Sequence, residues 1–145
     1  MTTALTLTTS MEDYLETMLQ LFQEKKGIRV SDIAKHMEVS KPSVTGALQV
    51  LARQGLVHHD PYDVISLTST GEKAARGILR RHEILRRFLR DILALPESDA
   101  EATACGMEHE ISVEVTEKLV DLMDSMAKCP HAKCKCLLAV KKAKG

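Results

Sequence analysis

The sequence predicts a mainly α fold, helical for most of its length and interrupted near the middle by one two-stranded hairpin. Three observations carry that expectation. Apolar residues recur at threes and fours along the chain, as in Met11, Leu15, Met18, Leu19 and Phe22. Small polar residues or Pro stand ahead of these stripes, and Gly27 and Gly55 stand behind two of them. Two short β-prone runs, Leu56-Val57-His58-His59 and Val64-Ile65-Ser66-Leu67-Thr68, flank the turn-forming Asp60-Pro61-Tyr62-Asp63.

The first helix follows Thr8-Thr9-Ser10 and ends before Gly27, with Ser10-x-x-Asp13 spaced as a capping box. Val30 to Met37 predicts a short amphipathic helix with Ser31 as its cap and Val30, Ile33, Ala34 and Met37 inward. Glu38-Val39-Ser40 predicts a tight turn. Ser40 then caps a helix with Pro42 in its first turn, where a missing N–H costs little, and Gly55 stops it. Two helices joined by a short turn and followed by a hairpin have the order of a winged helix-turn-helix with a two-stranded wing. Ser69-Thr70-Gly71-Glu72 opens a long helix to about Leu93, and Leu95-Pro96 breaks it. An acidic helix follows from Glu97, with Gly106 inside it allowing close approach of a partner backbone. A last helix spans Ser112 to about Met126, with Val115, Leu119, Leu122 and Met123 inward. The domains expected are residues 1–70 (winged helix), 71–128 (a helical domain) and 129–145 (a Cys- and Lys-rich tail).

Composition narrows the class. The chain has 145 residues, enough for one domain or two small ones, and 3% aromatics with no Trp, so its core must be aliphatic. No apolar run approaches a membrane span and no signal peptide is evident, so the expectation is a cytoplasmic protein without a membrane partner. Formal charge sums to zero, but its distribution is uneven. Residues 25–53 are mildly basic and residues 76–90 strongly so, whereas from Glu97 to Asp124 the chain is acidic, with Lys118 the single Lys or Arg. One basic face suffices for phosphate contacts, so neutrality does not exclude DNA. Ser40, Lys41, Pro42, Ser43 and Thr45 open the second helix of the helix-turn-helix, the place from which such a helix reads DNA.

The chemistry concentrates in Cys105-Gly106-Met107-Glu108-His109. Cys105, Glu108 and His109 fall at i, i+3 and i+4 and share one helix face, offering a thiolate, a carboxylate and an imidazole to a divalent transition metal. His109, as a single exposed ligand, is expected to contribute little to the metal-free core. Asp13 and Glu16 also suit the acidic start of a helix, and His82 by itself suits a surface or a core position. Cys129, His131, Cys134 and Cys136 could close a second, tetrahedral metal site, although the spacing is not that of a zinc finger and the intervening lysines equally suit a solvated tail. No Ser/His/Asp or H-E-x-x-H arrangement is present, which argues against an enzyme.

A set of short motifs resembles the diphtheria-toxin-repressor family of metal-dependent transcriptional repressors, close to its short manganese-responsive branch. They are Met11-Glu12-Asp13-Tyr14-Leu15-Glu16, Val30-Ser31-Asp32-Ile33-Ala34, Pro42-Ser43-Val44-Thr45, Leu67-Thr68-x-x-Gly71, Arg81-His82-Glu83 and Cys105-x-x-Glu108-His109. The resemblance implies that Asp13, Glu16, His82, Cys105, Glu108 and His109 are ligands of one Fe(II) or Mn(II) site between a winged helix and a helical dimerisation domain, other divalent transition metals also binding in vitro. It implies a homodimer on double-stranded operator DNA, repression controlling metal homeostasis, and the short form without an SH3-like domain. The ligand set is a hybrid. Asp13 and Glu16 match the manganese branch, whereas Cys105 matches the iron branch. Arg86 and Glu101 stand where the iron branch has Glu and His ligands of an ancillary site, and Gly46 stands where it has a base-contacting Gln. An alternative reading is a winged-helix regulator that senses redox state or a small molecule through Cys105.

Overall fold

The computed structural model describes residues 6–59 and 64–128. The chain divides into two compact units, residues 1–79 and 80–145. The elements in order are α1 (Thr9–Glu24), α2 (Val30–Met37), α3 (Lys41–Arg53), β1 (Val57–His58), β2 (Ser66–Leu67), α4 (Ser69–Arg87), α5 (Glu97–Met107) and α6 (Val113–Lys128). A single π-helical turn, Phe88–Ile92, extends α4. The mainly α architecture is the one the apolar periodicity predicts.

The first unit is a winged helix-turn-helix. α2 ends where Glu38 turns left-handed (φ 56°), and the Val39 N–H closes the turn on the Ala34 carbonyl at 3.0 Å. Ser40 caps α3, its hydroxyl accepting the Ser43 N–H at 3.3 Å, and Gly55 ends the helix region at φ 72°, a conformation that favours glycine. β1 and β2 pair antiparallel, with Val57 opposite Leu67 and His58 opposite Ser66. The Ile65 N–H adds a bridge to the Ile28 carbonyl at 3.0 Å. The strands are two residues each, shorter than the β-prone runs, and the expected turn at residues 60–63 lies outside the described residues. Leu15 and Met18 of α1, Ile33 of α2, and Leu48 and Leu51 of α3 form an aliphatic core with Leu56 and Ile65.

Two caps differ from expectation. Thr8, not Ser10, caps α1, its hydroxyl accepting the Met11 N–H at 3.3 Å. Ser31 lies inside α2, and Asp32 does the capping by accepting the Arg29 N–H at 2.8 Å. α1 starts earlier because Thr8 satisfies one of its first N–H groups, whereas α2 keeps its expected bounds with a different cap. α4 is tied to the end of α3 by Thr68. The Thr68 hydroxyl donates to the Gly55 carbonyl at 2.7 Å and accepts the Gly71 N–H at 3.0 Å.

The second unit has a small core of Leu85 and Leu89 against Ala100 and Ala104, with Phe88, Leu95, Ile111 and Leu119 packed around it. Alanines at i and i+4 let the α5 backbone approach the α4 side closely. The π-turn closes through the Leu93 N–H to the Phe88 carbonyl at 3.2 Å. Ala94 then turns left-handed at φ 58°, and Pro96 prevents continuation. α6 departs from expectation: Val115 and Leu122 are exposed, and Thr116 is its buried residue. Val115 and Leu122 of its apolar stripe therefore face solvent in the single chain, while Leu119 packs on the core.

Candidate metal centre and DNA-facing helix

Three donors come together in the second unit. His82 projects from α4, and Cys105 and Glu108 from α5 and its C-terminal cap. One ligand atom of each lies within 4.8 Å of the others. His82 Nδ1 is 2.6 Å from Glu108 Oε2 and 3.8 Å from Cys105 Sγ. A transition metal with ligands at about 2.0–2.3 Å keeps any two of them within about 4.6 Å, so the donor types and spacing fit such an ion with only small shifts.

Burial is greater than the sequence suggests. His82 is 7% exposed and Glu108 only 2%. His109 lies beside them, its Nε2 3.3 Å from Glu108 Oε1, with a side chain only 7% exposed. The expectation of an exposed His109 is corrected here: of the four, Cys105 faces solvent. The cause is that the C-terminal end of α5 and the turn into α6 fold Glu108 and His109 inward. The Glu110 and Ile111 N–H groups both return to the Met107 carbonyl.

Electrostatics favour a charged ring when no metal is bound. The hydrogen bond to Glu108 raises the His82 pKa to about 9, burial opposes it, and a hydrogen bond to Glu101 reinforces it. His82 Nε2 lies 3.0 Å from Glu101 Oε1. Glu101 is a contact that motif reading passed over as a ligand change, yet its place four residues before Cys105 and seven before Glu108 puts all three on one stripe of α5. Among the described residues an added Cβ at Gly106 would meet nothing within 4 Å, so no packing between them demands glycine there.

Asp13 and Glu16 belong to the first unit, both on α1 and both partly exposed. Glu16 accepts from Gln20 Nε2 at 3.3 Å. With Thr8 as the cap, Asp13 is not a capping residue. Cys129, His131, Cys134 and Cys136 lie outside the described residues.

On α3 the expected DNA-facing residues are at the surface. Ser40, Lys41, Pro42 and Ser43 are exposed and Thr45 is partly so. The Ser40 and Ser43 hydroxyls share a hydrogen bond of 2.8 Å, and Thr45 Oγ1 donates to the Lys41 carbonyl at 3.1 Å. The exposed helix N-terminus carries the partial positive charge that suits a phosphate. Gly46 is exposed and open, with nothing within 4 Å of an added Cβ.

A winged helix-turn-helix followed in the chain by a helical unit bearing a buried mixed-donor cluster defines a class: DNA-binding regulators with a metal-ligating second domain. Residues 6–65 match the family described as iron dependent repressor, N-terminal DNA binding domain. Residues 68–137 match its metal binding and dimerisation domain. The chain belongs to the diphtheria-toxin-repressor family of metal-dependent transcriptional repressors, which are regulators and not enzymes. It is 35% identical over 116 residues to an uncharacterised HTH-type transcriptional regulator of Methanocaldococcus jannaschii, covering 79% of this chain and 93% of that one. It is 35% identical over 123 residues to the HTH-type transcriptional regulator MntR of Lysinibacillus sphaericus, covering 85% of this chain and 88% of that one. A solved manganese-dependent transcriptional repressor in complex with manganese superposes with a TM-score of 0.68 at 28% identity, covering 75% of this chain. The present chain spans 50% of that repressor's length.

Proposed function

We propose that this chain represses transcription in response to Fe(II) or Mn(II), through one centre built from Asp13, Glu16, His82, Cys105, Glu108 and His109. The observation that carries this reading is the convergence of His82, Cys105 and Glu108 donor atoms within 4.8 Å. The family resemblance supports adding Asp13 and Glu16 of α1, which makes the centre a link between the DNA-binding and helical halves. A bound divalent cation would supply the positive charge that holds carboxylates and a thiolate from both halves in one arrangement. That arrangement is favoured over others by its differential affinity for the ion. In a two-fold homodimer it fixes the separation of the two α3 helices, which must match the spacing of operator half-sites. Lys41 and the α3 N-terminus then meet phosphate, and Ser43 and Thr45 face the bases. Acting on chromosomal DNA, the protein works in the cytoplasm.

The donor set bears on the metal. Thiolate favours softer, later ions and carboxylates accept manganese, so Cys105 tilts the site to Fe(II) while Asp13 and Glu16 retain Mn(II). The solved relative described as manganese-dependent supports the second half of that statement. The tail residues Cys129, His131, Cys134 and Cys136 are a candidate second metal site, outside this mechanism. The test is anaerobic titration of operator binding against buffered Fe(II) and Mn(II). Both ions activate the wild type, Cys105→Glu shifts preference toward Mn(II), and His109→Ala responds to neither. Full operator affinity in chelator, or a normal response from His109→Ala, would overturn the reading and favour a redox or small-molecule sensor acting through Cys105.

A further inference from the structure

An imidazole presents its two nitrogens on opposite edges, so the partner of one decides what the other faces. At His82 the two edges have different company. Nδ1 faces Glu108 Oε2 at 2.6 Å and Cys105 Sγ at 3.8 Å. Nε2 faces Glu101 Oε1 at 3.0 Å. We infer that Glu101 is a positioning residue of the metal centre: by accepting the Nε2–H of His82 it presents Nδ1 to Glu108 and Cys105 as the ligating atom. This inference rests on the metal-centre reading above and deepens it.

The placement follows from α5. Ala100 and Ala104 are fully buried against Leu85 and Leu89 and fix the rotation of the helix. That rotation sends Glu101, Cys105 and Glu108 to the His82 side as one stripe. Glu101 meets the ring on the edge opposite the other two, so it supplies an acceptor and not a third ligand beside them. Its second oxygen is 3.9 Å from Arg86 Nε, one turn beyond His82 on α4. Arg86 is itself held by Glu83 at 2.8 Å and by Glu97. The carboxylate is thereby steadied from behind while about half its side chain remains in solvent. A carboxylate that orients a ligating His fixes its tautomer, and losing such a partner weakens metal binding by about 10–100-fold.

The experiment uses the full chain and two variants, Glu101→Ala and Glu101→Gln, titrated anaerobically with Co(II) and followed by the thiolate-to-cobalt charge-transfer band. Nitrogen-15 NMR of the imidazoles in the Zn(II)-loaded wild type reads which His82 nitrogen keeps its proton. Glu101→Ala should bind Co(II) about 10–100-fold more weakly. Glu101→Gln, whose amide oxygen still accepts the Nε2–H, should recover most of that loss. The His82 proton should reside on Nε2. Unchanged binding by Glu101→Ala overturns the positioning role, as does a His82 proton on Nδ1. Equal loss in both variants makes Glu101 a direct ligand and overturns it too. A wild type without any charge-transfer band would instead remove the metal-centre reading, and the role of Glu101 with it.

Discussion

At the scale of single residues, the centre joins two demands that pull His82 in opposite directions. Without metal, the ring sits between Glu108 and Glu101 and holds its proton up to a pKa of about 9. A metal ligand must give that proton up. The sign of the resulting pH dependence follows from the folded value lying above the ordinary 6.5. Between those two values the folded state binds more protons than the unfolded state, so stability from this group falls as pH rises. Its contribution is complete below about 6.5 and gone above about 9. Urea unfolding in chelator should therefore show the wild type most favoured over His82→Gln near pH 6, the gap closing by pH 9.5. A gap that widens with pH would contradict the protonated, doubly bonded ring. Metal affinity should move the other way, rising with pH to about 9 and then levelling. The reason this was not legible in the sequence is local. Cys105, Glu108 and His109 could be grouped from helical spacing alone, but whether their face points to solvent depends on the turn at Met107–Ile111. That turn carries Glu108 and His109 inward and leaves Cys105 outside.

At the scale of elements, the glycines show how differently one residue type can be used along a single helix. In α4, a Cβ added at Gly71 would sit 1.8 Å from the Leu56 carbonyl oxygen, whereas one at Gly77 would meet nothing. Gly71 lets the start of α4 lie against the chain leaving α3, where Thr68 joins the two. Gly71→Ala should destabilise the protein by at least about 2 kcal/mol, since backbone must shift to admit the methyl group. Gly77→Ala should stabilise it by about 1 kcal/mol, the ordinary helix-propensity gain. Chemical denaturation of both variants checks the pair, and similar effects at the two positions would contradict the packing. α3 carries the DNA-side prediction. Lys41 is exposed in the first turn after the Ser40 cap. Lys41→Ala should weaken binding to all sequences alike and lower the salt slope by about one unit. A change in base preference alone would assign it to base reading. Most of these elements are legible in the sequence because stripe, cap and stop agree, as at Ser40, Pro42 and Gly55. The caps of α1 and α2 are not, because Thr8 competes with Ser10 and Asp32 with Ser31 on nearly equal terms. Nor is the π-turn at Phe88–Ile92, which conserves the same apolar stripe while changing the hydrogen-bond register.

At the scale of the whole molecule, the described residues of the second unit leave much apolar surface uncovered in the single chain. Among the described residues its buried apolar side chains are Ile84, Leu85, Leu89, Ala100 and Ala104, a small core. Meanwhile Leu93, Met107, Val113, Val115 and Leu122 remain exposed. Apolar periodicity in α6 led to the expectation that Val115 and Leu122 point inward, and a stripe alone cannot tell a core from an interface. On α6, Val115, Leu119, Leu122 and Met126 follow one another at fours and threes, the spacing of a helix seam. Exposed apolar side chains gathered on one element mark an association surface, and the matched family domain is described as one of dimerisation. The occupant that fits is a second copy of the chain, because a two-fold pair would present two α3 helices to a palindromic operator. Sedimentation at micromolar concentration should give a dimer with or without metal. Leu122→Asp, which places a charge in the middle of the stripe and leaves the buried residues untouched, should give a folded monomer with unchanged helical circular dichroism. That monomer should bind a single half-site weakly and lose the cooperative full-site affinity of the wild type. A wild-type monomer under both conditions, or a Leu122→Asp protein that still sediments as a dimer, would place the association surface elsewhere and remove the geometric link between the metal centre and half-site spacing.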